Sequence, residues 1–463
     1  MTEEGKGAAR SQTTDIRHTD PRRRNGRGTV RFVLAILLFS SFGALPLPGR
    51  ERPELPYGRI IKEIRFEGLK RTKEFIVARE LASKPGAPLL EKNIVEDRLR
   101  LEKLDVFVDI RIESALEGGM VILTYRFVET FKFMPSVGVQ ITDENGVSAG
   151  LGVKIPNLFG RNVSFSTRAM AGGSTLVQLA MEDPWFLGNR IGYQWGYIYR
   201  DRDNLIGDFH EFSHEFNLDV GGPWGRHGRF GGFLEYMNVR SDIDGVTLSP
   251  DNHDKVTRLG AFILYDSRDA VMDTRKGWWL EARFNREVRI FHSSSDFYQL
   301  DLDVRRYQPL PLGDRHRLAI YSLLSLRSGA VGVDVATWQL FGMGGTNTVR
   351  GWEYAYQKGK NQFIGTLEYS FTVLKPRLLV LPFKLRYRGG LQLCAFADTG
   401  LAWNEAGQFE LDNFISGYGV GVRILVPVVG MLRLDLGWGE TGKGVAIHIG
   451  SYEKPVMSRR RVR

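Results

Sequence analysis

The feature that most constrains this chain is an alternation of apolar and polar residues, which extends from about residue 131 to residue 452. In FSHEFNLDV, at 212–220, every second residue is apolar except His214, and serine, asparagine or an acid stands between them. YQLDLDVRRY and MLRLDLGWG, at 298–307 and 431–439, repeat the pattern. A period of two residues belongs to β-strands whose two faces meet different surroundings. This part of the chain is therefore predicted to be mainly β and antiparallel.

Two β architectures fit such alternation. A soluble sandwich turns its apolar face to a second sheet, but such domains seldom need about 320 alternating residues without a helix. A transmembrane barrel does need them, because it has lipid outside and a wet lumen inside. Closure of the barrel also removes exposed strand edges. We therefore predict a transmembrane antiparallel β-barrel, with about 16 strands at roughly 20 residues per strand and loop.

The first 49 residues read as a basic tail followed by a signal peptide. Arginines precede an apolar run at 32–47, and small residues near Gly43 and Ala44 suit cleavage. The alternative is a transmembrane anchor, but a run of about 16 residues is shorter than the roughly 20 that a spanning helix requires. A barrel in an outer membrane is consistent with export.

The charge of the chain is concentrated at its ends. The formal net charge is +10, and residues 1–31 and 453–463 contribute +4 each. The remaining sequence is nearly neutral, which argues against a nucleic-acid-binding surface. A single cysteine, Cys394, excludes an intrachain disulfide.

Residues 58–129 have a different pattern, which predicts a separate small domain. A strand around RIIKEIRFEGL is followed by two helical patterns and then by the strands VDIRIESA and VILTYRFVE. The first helix has Thr72 as a candidate N-cap. The predicted order is β-α-α-β-β, and the motifs IRFEGLKRT, KPGAPL and LRLEKLDVF resemble those of a POTRA domain. The resemblance implies a periplasmic module that receives extended clients by strand addition; the alternative is a spacer that only orients the barrel.

Six motifs follow in the order seen in the BamA/TamA superfamily of outer-membrane barrels. They are IPNLFGRNVSFS, MEDPWFLGNR, YDSRDAVMDTRKGWWLEARF, MGGTNTVRGWEY, FADTGLAWN and GYGVGVRILVPVVGMLRLDLGWG. Together with the POTRA-like region, the resemblance covers about residues 58–452. It implies a bacterial outer-membrane barrel at 131–452 with its POTRA domain in the periplasm.

The segment MGGTNTVRGWEY carries the candidate site. In the superfamily a V-R-G-aromatic segment lies on a long loop that folds into the lumen, and the matching residues here are Val349, Arg350, Gly351 and Trp352. Trp352 replaces the usual phenylalanine or tyrosine. Gly351 and Gly345 allow tight backbone turns.

The resemblance also implies acidic partners for Arg350 on the inner wall. The candidates are Glu368 in GTLEYSF and Asp398 in FADTG. A guanidinium suits this role because it binds a carboxylate at two points and stays charged when it is partly dried. The alternative is an ordinary surface loop with a solvated arginine.

Two other features carry weaker expectations. Asp266, Asp269 and Asp273 lack the glycine and final glutamate of an EF-hand, so we interpret them as a structural turn and expect no metal or cofactor. At the C-terminus, Tyr452 is expected to close the last strand, and a basic tail occupies 453–463.

The implied function is assembly of outer-membrane proteins or translocation of polypeptides. Clients would be unfolded outer-membrane or secreted polypeptides that insert through a lateral seam of the barrel, with accessory periplasmic or lipoprotein partners. The first alternative is a dedicated secretion pore of the two-partner type, although no plug helix is evident. The second alternative is a barrel enzyme. The eight histidines form no recognisable catalytic motif, so we expect no catalytic residues and no enzymatic activity.

Overall fold

A computed structural model describes residues 55–451 except 105, 143–144, 187–189, 271–272, 290–292, 381–385, 427–429 and 440–444. The predicted signal peptide, Tyr452 and the basic tail at 453–463 lie outside the described residues. The small domain has the predicted order of elements: β1 (Ile61–Glu67), α1 (Glu74–Ala78), α2 (Glu91–Lys103), β2 (Phe107–Glu117) and β3 (Met120–Glu129). Its sheet has the order β1-β3-β2, with β1 parallel and β2 antiparallel to the central strand.

The core of the small domain forms between this sheet and the two helices. Leu101 of α2 and Leu123 and Tyr125 of β3 are buried there. The Tyr125 hydroxyl donates a 2.6 Å hydrogen bond to the buried carboxylate of Asp97, which fixes α2 on the sheet. The prediction that Thr72 is the N-cap of the first helix is wrong. The N-cap residue is Lys73, and its side chain makes no capping hydrogen bond. None of the helices in the described ranges is long and apolar enough to cross a bilayer.

The rest of the described chain consists almost entirely of strands. Their bounds are β4 (Met134–Thr142), β5 (Gly146–Leu158), β6 (Val163–Gly172), β7 (Thr175–Asp183), β8 (Gly192–Asn204), β9 (Phe209–Trp224), β10 (Gly228–Ser241), β11 (His253–Asp266), β12 (Gly277–Glu287), β13 (Tyr298–Pro309), β14 (His316–Arg327), β15 (Phe341–Met343), β16 (Gln357–Gly359), β17 (Asn361–Val380), β18 (Arg386–Trp403), β19 (Ile415–Val426), β20 (Gly430–Gly439) and β21 (Val445–Ser451).

Sixteen of these strands form one antiparallel sheet in chain order, and β15 and β16 pair separately within the loop between β14 and β17. The sheet curls until its first and last strands, β4 and β21, lie side by side with Cα atoms within 8 Å. Complete closure by hydrogen bonding was expected but is not seen: no backbone ladder joins β4 to β21 among the described residues. Over the described residues of β4 and β21, the barrel therefore has a seam without backbone pairing.

Burial along the strands is the reverse of that in a soluble sheet. In β9, Phe212 is 40% exposed and Phe216 39%, whereas Ser213 is 0% and Glu215 5% exposed. In β13, the acids Asp301 and Asp303 are buried in the same way. An apolar outer face around a polar interior is the arrangement of a transmembrane barrel and excludes the sandwich alternative.

The small domain is docked on the turns at the end of the barrel that carries it. Asn157, before the β5–β6 turn, donates a 2.8 Å hydrogen bond to the Thr72 hydroxyl. The Lys73 amide donates to the Gly160 carbonyl at 3.0 Å. The Arg79 guanidinium lies 4.2 Å from the centroid of a Trp185 ring. The docking thus joins the N-terminal flank of α1 to the β5–β6 turn, and its C-cap residue Arg79 to the β7–β8 turn.

A buried carboxylate organises the segment that makes these contacts. Glu129 accepts hydrogen bonds from the amides of Lys70, Arg71 and Thr72, and from the Arg71 side chain. Burial raises the pKa of Glu129, but the hydrogen bonds from Thr72 and Arg71 outweigh it and hold the pKa below its ordinary value. The charged carboxylate is therefore the form that holds the segment.

Candidate functional site: a lumen loop held by buried charges

The site begins with the loop between β14 and β17, on the side of the barrel opposite the small domain. The β15–β16 hairpin brings the segment 344–356 back toward the wall. Gly344 and Gly345 have φ of 109° and 91°, which favours glycine. The Gly345 amide donates to the Trp352 carbonyl at 3.0 Å, so the loop closes on itself with Arg350 at its tip.

Arg350 is completely buried, and its guanidinium group is surrounded by acidic side chains. Its Nε and Nη2 donate to the two oxygens of Asp398 at 2.8 and 3.0 Å, and its backbone amide donates to the same carboxylate at 3.1 Å. Nη1 donates to Asp435 at 3.0 Å and lies 3.4 Å from Glu368. The guanidinium carbon lies 3.4 Å above the Phe396 ring. Both predicted acidic partners thus contact the predicted arginine.

Two further arginines complete the cluster. Arg423 on β19 donates to both Asp435 and Glu368. Arg433 on β20 donates at 2.8 Å to the Thr346 carbonyl of the loop. Three guanidinium groups thus accompany three carboxylates, and all six groups are buried. The cluster is formally neutral, which is the condition under which charges can remain in a dry interior.

Glycines on the wall make room for the backbone of the loop. A Cβ at Gly417 would lie 1.9 Å from the Arg350 carbonyl oxygen, and one at Gly437 would lie 2.7 Å from the Gly351 nitrogen. Gly351 itself would place a Cβ 2.5 Å from the Trp438 carbonyl carbon. The loop backbone therefore lies directly on β19 and β20, where no larger residue fits.

The neighbours of Arg350 anchor the loop through apolar contacts. Val349 is fully buried in a cluster with Met343, Leu323 and Ile364. The Trp352 indole donates a 2.8 Å hydrogen bond to the carbonyl of Ser416 and packs against Tyr356 at 4.5 Å between ring centroids. The predicted loop residues Val349 and Trp352 are thus placed against the barrel wall.

A second part of the same loop, at 337–339, makes buried contacts with the inner wall. A short 3₁₀ turn at Thr337–Gln339 carries Trp338, whose indole donates a 2.8 Å hydrogen bond to the buried Asp254. Gln339 donates to Glu287, which also pairs with Arg258. This network was missed from the sequence, because its polar partners lie 52 and 84 residues apart.

The acidic turn between β11 and β12 is held by contacts within the turn and by one contact with β18. Asp266 pairs with Arg268, and Asp269 accepts hydrogen bonds from the amides of Arg275 and Lys276. Asp273 accepts a 2.6 Å bond from Gln392. In the described part of the chain, no group of three His, Cys, Asp or Glu residues could hold a metal ion.

The fold and the site together define a class: a membrane-spanning β-barrel preceded by a small α/β domain, with a loop held inside the lumen by buried charges. The Omp85 superfamily domain matches residues 157–450, and the POTRA model, described as a surface antigen variable number repeat, matches residues 60–130. The chain belongs to the Omp85 superfamily. Its barrel lies in the outer membrane and its POTRA domain in the periplasm.

Curated relatives match only part of this chain. The sorting and assembly machinery component 50 homolog of Xenopus tropicalis is 31% identical over 116 residues, covering 22% of this chain and 24% of the relative. The outer membrane protein assembly factor BamA of Neisseria meningitidis is 26% identical over 169 residues, covering 34% of this chain and 21% of the relative. The chain therefore spans about a quarter or less of the length of these relatives.

Solved structures resemble the fold over most of its length. BamA from Haemophilus ducreyi lacking POTRA domains 1–3 has a TM-score of 0.59 at 16% identity, covering 84% of this chain and 83% of that one. CdiB from Acinetobacter baumannii has a TM-score of 0.55 at 16% identity, covering 83% and 70%. These likenesses concern the fold alone.

Proposed function

We propose that this protein inserts client β-barrels into the outer membrane, or passes polypeptides across it, by pairing them at the seam of its own barrel. The observation that carries the proposal is the absence of a ladder between β4 and β21 in the described residues, although the strands are adjacent. Unpaired edges present rows of N–H and C=O groups that template another strand. A client strand satisfies those groups as it enters the lipid.

The POTRA domain has the role of presenting clients. Its strands β1 and β2 are the outer strands of the three-stranded sheet, because β3 is central, and the start of β1 is already bonded to residues 86–89. An extended polypeptide adds to such an edge through backbone hydrogen bonds, which are largely independent of its sequence. Delivery to the barrel follows from the docking of this domain on the β5–β6 and β7–β8 turns.

The charge cluster around Arg350 acts as a latch rather than as a catalyst. It ties the lumen loop to β17, β18, β19 and β20, which are the four strands that precede the last strand, β21. The cluster therefore stiffens the wall beside the seam. The family is one of assembly and translocation barrels, and we assign no catalytic reaction to this chain. A rigid wall beside an unpaired edge confines movement to the seam.

The secretion-pore alternative requires an open lumen. In the described structure the lumen loop places Arg350, Val349 and Trp338 in buried positions against the inner wall. A pore would have to break the latch during each passage, whereas lateral insertion leaves it in place. The favoured function is therefore insertion at the seam.

The test is folding of a denatured client in vesicles that contain the purified protein. A urea-unfolded outer-membrane barrel is diluted into the vesicles, and its folded fraction is followed by protease protection and heat-modifiable migration. We expect faster client folding than in empty vesicles and no release of an entrapped soluble marker. Client folding at the empty-vesicle rate contradicts the insertion function, and passage of an unfolded soluble polypeptide into the vesicles favours the pore.

A further inference from the structure

A groove at the junction of the POTRA domain and the barrel has no role in the function proposed above. It has a volume of about 670 Å³ and lies between helix α2 and the turns before β8 and between β9 and β10. Three arginines line it, Arg100 from α2 and Arg190 and Arg226 from the barrel turns, together with the single acid Glu96. Its lining therefore carries a net charge of +2.

The position of the groove is set by the register of the strands. Phe230 of β10 is paired with Gly222 of β9 on the lipid-facing side, and both line the groove. Phe230 is 54% exposed, and Ile191 beside it is 49% exposed. The turn between β9 and β10 lies at the periplasmic end of the barrel, because each strand reverses direction from β4 onward. The groove therefore opens on lipid at the periplasmic boundary of the membrane.

We propose that this groove binds the headgroup of an anionic phospholipid from the periplasmic leaflet of the outer membrane. The guanidinium groups of Arg190 and Arg226 bind the phosphate, since their planar forks match its oxygens. Arg100 and Glu96 both line the groove and pair with each other at 2.5 Å, and Arg100 also donates a 3.3 Å hydrogen bond to the Glu80 carbonyl. The acyl chains run along Phe230 and Ile191, whose exposed faces belong to the lipid-facing surface.

A lipid in this position connects two parts of the protein. Its headgroup contacts α2 of the POTRA domain and two turns of the barrel at once. Binding therefore adds a contact to the docking made by Thr72, Lys73 and Arg79. The orientation of the POTRA domain then depends on the anionic lipid content of the leaflet. An acidic client peptide is the competing ligand, but the free strand edges of the domain offer it the backbone contacts that this groove lacks.

The experiment is native mass spectrometry of the purified full chain in detergent with added phosphatidylglycerol or phosphatidylcholine. Three forms are compared with the wild type: a triple glutamine variant of the groove, the corresponding lysine variant, and a glutamine control at exposed POTRA arginines. The groove positions are Arg100, Arg190 and Arg226, and the control positions are Arg59, Arg65 and Arg111. Heat-modifiable migration verifies that each form is folded.

We expect the wild type to retain one phosphatidylglycerol in preference to phosphatidylcholine. The glutamine variant should lose at least about tenfold in affinity for phosphatidylglycerol, since each interfacial arginine contributes to binding of an anionic headgroup. The POTRA control should bind as the wild type does, and the lysine variant, which keeps the charge but loses the planar fork, should bind more weakly than the wild type and more tightly than the glutamine variant. Equal retention of both lipids, or undiminished binding in the folded glutamine variant, overturns the proposal. Displacement of the lipid by inorganic phosphate alone, or by an acidic peptide, also overturns it.

Discussion

Replacement of Arg350 by methionine is the perturbation for which the structure gives the clearest magnitude. Methionine keeps much of the side-chain volume but removes the charge, so the buried cluster changes from three cations and three anions to a net charge of −1. Asp398 loses both of its side-chain hydrogen bonds from Arg350. Removal of one member of a buried ion pair costs about 3–5 kcal/mol. We expect this loss in the free energy of unfolding.

The assay is urea unfolding of the protein in lipid vesicles, followed by heat-modifiable migration and extrapolated linearly to water. A matched control is Arg286→Met. Arg286 pairs with Asp296 at 3.2 Å on the exposed side of the barrel, and its side chain is 46% exposed. We expect the control to lose no more than about 1 kcal/mol, as surface pairs do. The loop of the Arg350 variant should also become accessible to protease from outside.

A double-mutant cycle separates the pairing from general damage. Arg350→Met combined with Asp398→Asn restores a neutral cluster. The double variant should therefore be more stable than the sum of the two single losses predicts, by about 1–3 kcal/mol. The reasoning is refuted if Arg350→Met lies within about 1 kcal/mol of the wild type, or if the two losses simply add.

Three further outcomes are expected from the same structure. Gly417→Ala should release the lumen loop to protease at a cost of about 1–3 kcal/mol, whereas Gly407→Ala, which has open space around it, should not. Trp338→Phe removes the hydrogen bond to the buried Asp254 and should cost about 1–3 kcal/mol in urea unfolding. Because the pKa of Glu129 is depressed in the folded protein, its contribution to stability is present above the ordinary carboxyl pKa and is lost as the pH falls through the folded value. Glu129→Gln should therefore raise hydrogen exchange at 70–72 near pH 7, and the difference from the wild type should vanish in acid.

The faces of the strands could be predicted because alternation is a local property. The apolar positions in 212–220 are the exposed ones, and Ser213 and Glu215 face the lumen, as a two-residue period requires. The number of strands followed from length alone. A lateral seam was expected only through the resemblance to the superfamily; the strand patterns give no signal for it, because the pairing of β4 with β21 depends on residues about 300 positions apart in the chain.

The contacts of Arg350 were predicted in part. Arg350, Glu368 and Asp398 were named through the resemblance of their motifs, whereas Asp435, Arg423 and Arg433 were not. Asp435 and Arg433 do stand at polar, inward positions of an alternating strand, and this was the available signal. Asp435 lies 85 residues from Arg350 in the chain, and Arg433 lies 87 residues from its partner Thr346 in the loop. Only the strand register brings these residues together.

The glycines of the wall and the docking of the POTRA domain had no local signal. Gly417 and Gly437 stand in an ordinary alternating strand pattern, and the reason for their small size lies in the loop that covers them. Thr72 was expected to cap a helix, but its hydroxyl accepts a hydrogen bond from Asn157, 85 residues later. Contacts between domains of this kind depend on tertiary arrangement rather than on pattern.

The most direct measurement of the central claim is client insertion by a barrel whose seam is locked. Cysteines placed in β4 and β21, in a Cys394→Ala background, are oxidised to a disulfide and the protein is reconstituted in vesicles. A control disulfide joins Val420→Cys to Leu436→Cys, which face each other across β19 and β20. We predict that the seam disulfide stops client insertion until it is reduced, while the control disulfide does not. Insertion at the unlocked rate by the seam-locked barrel would contradict the account.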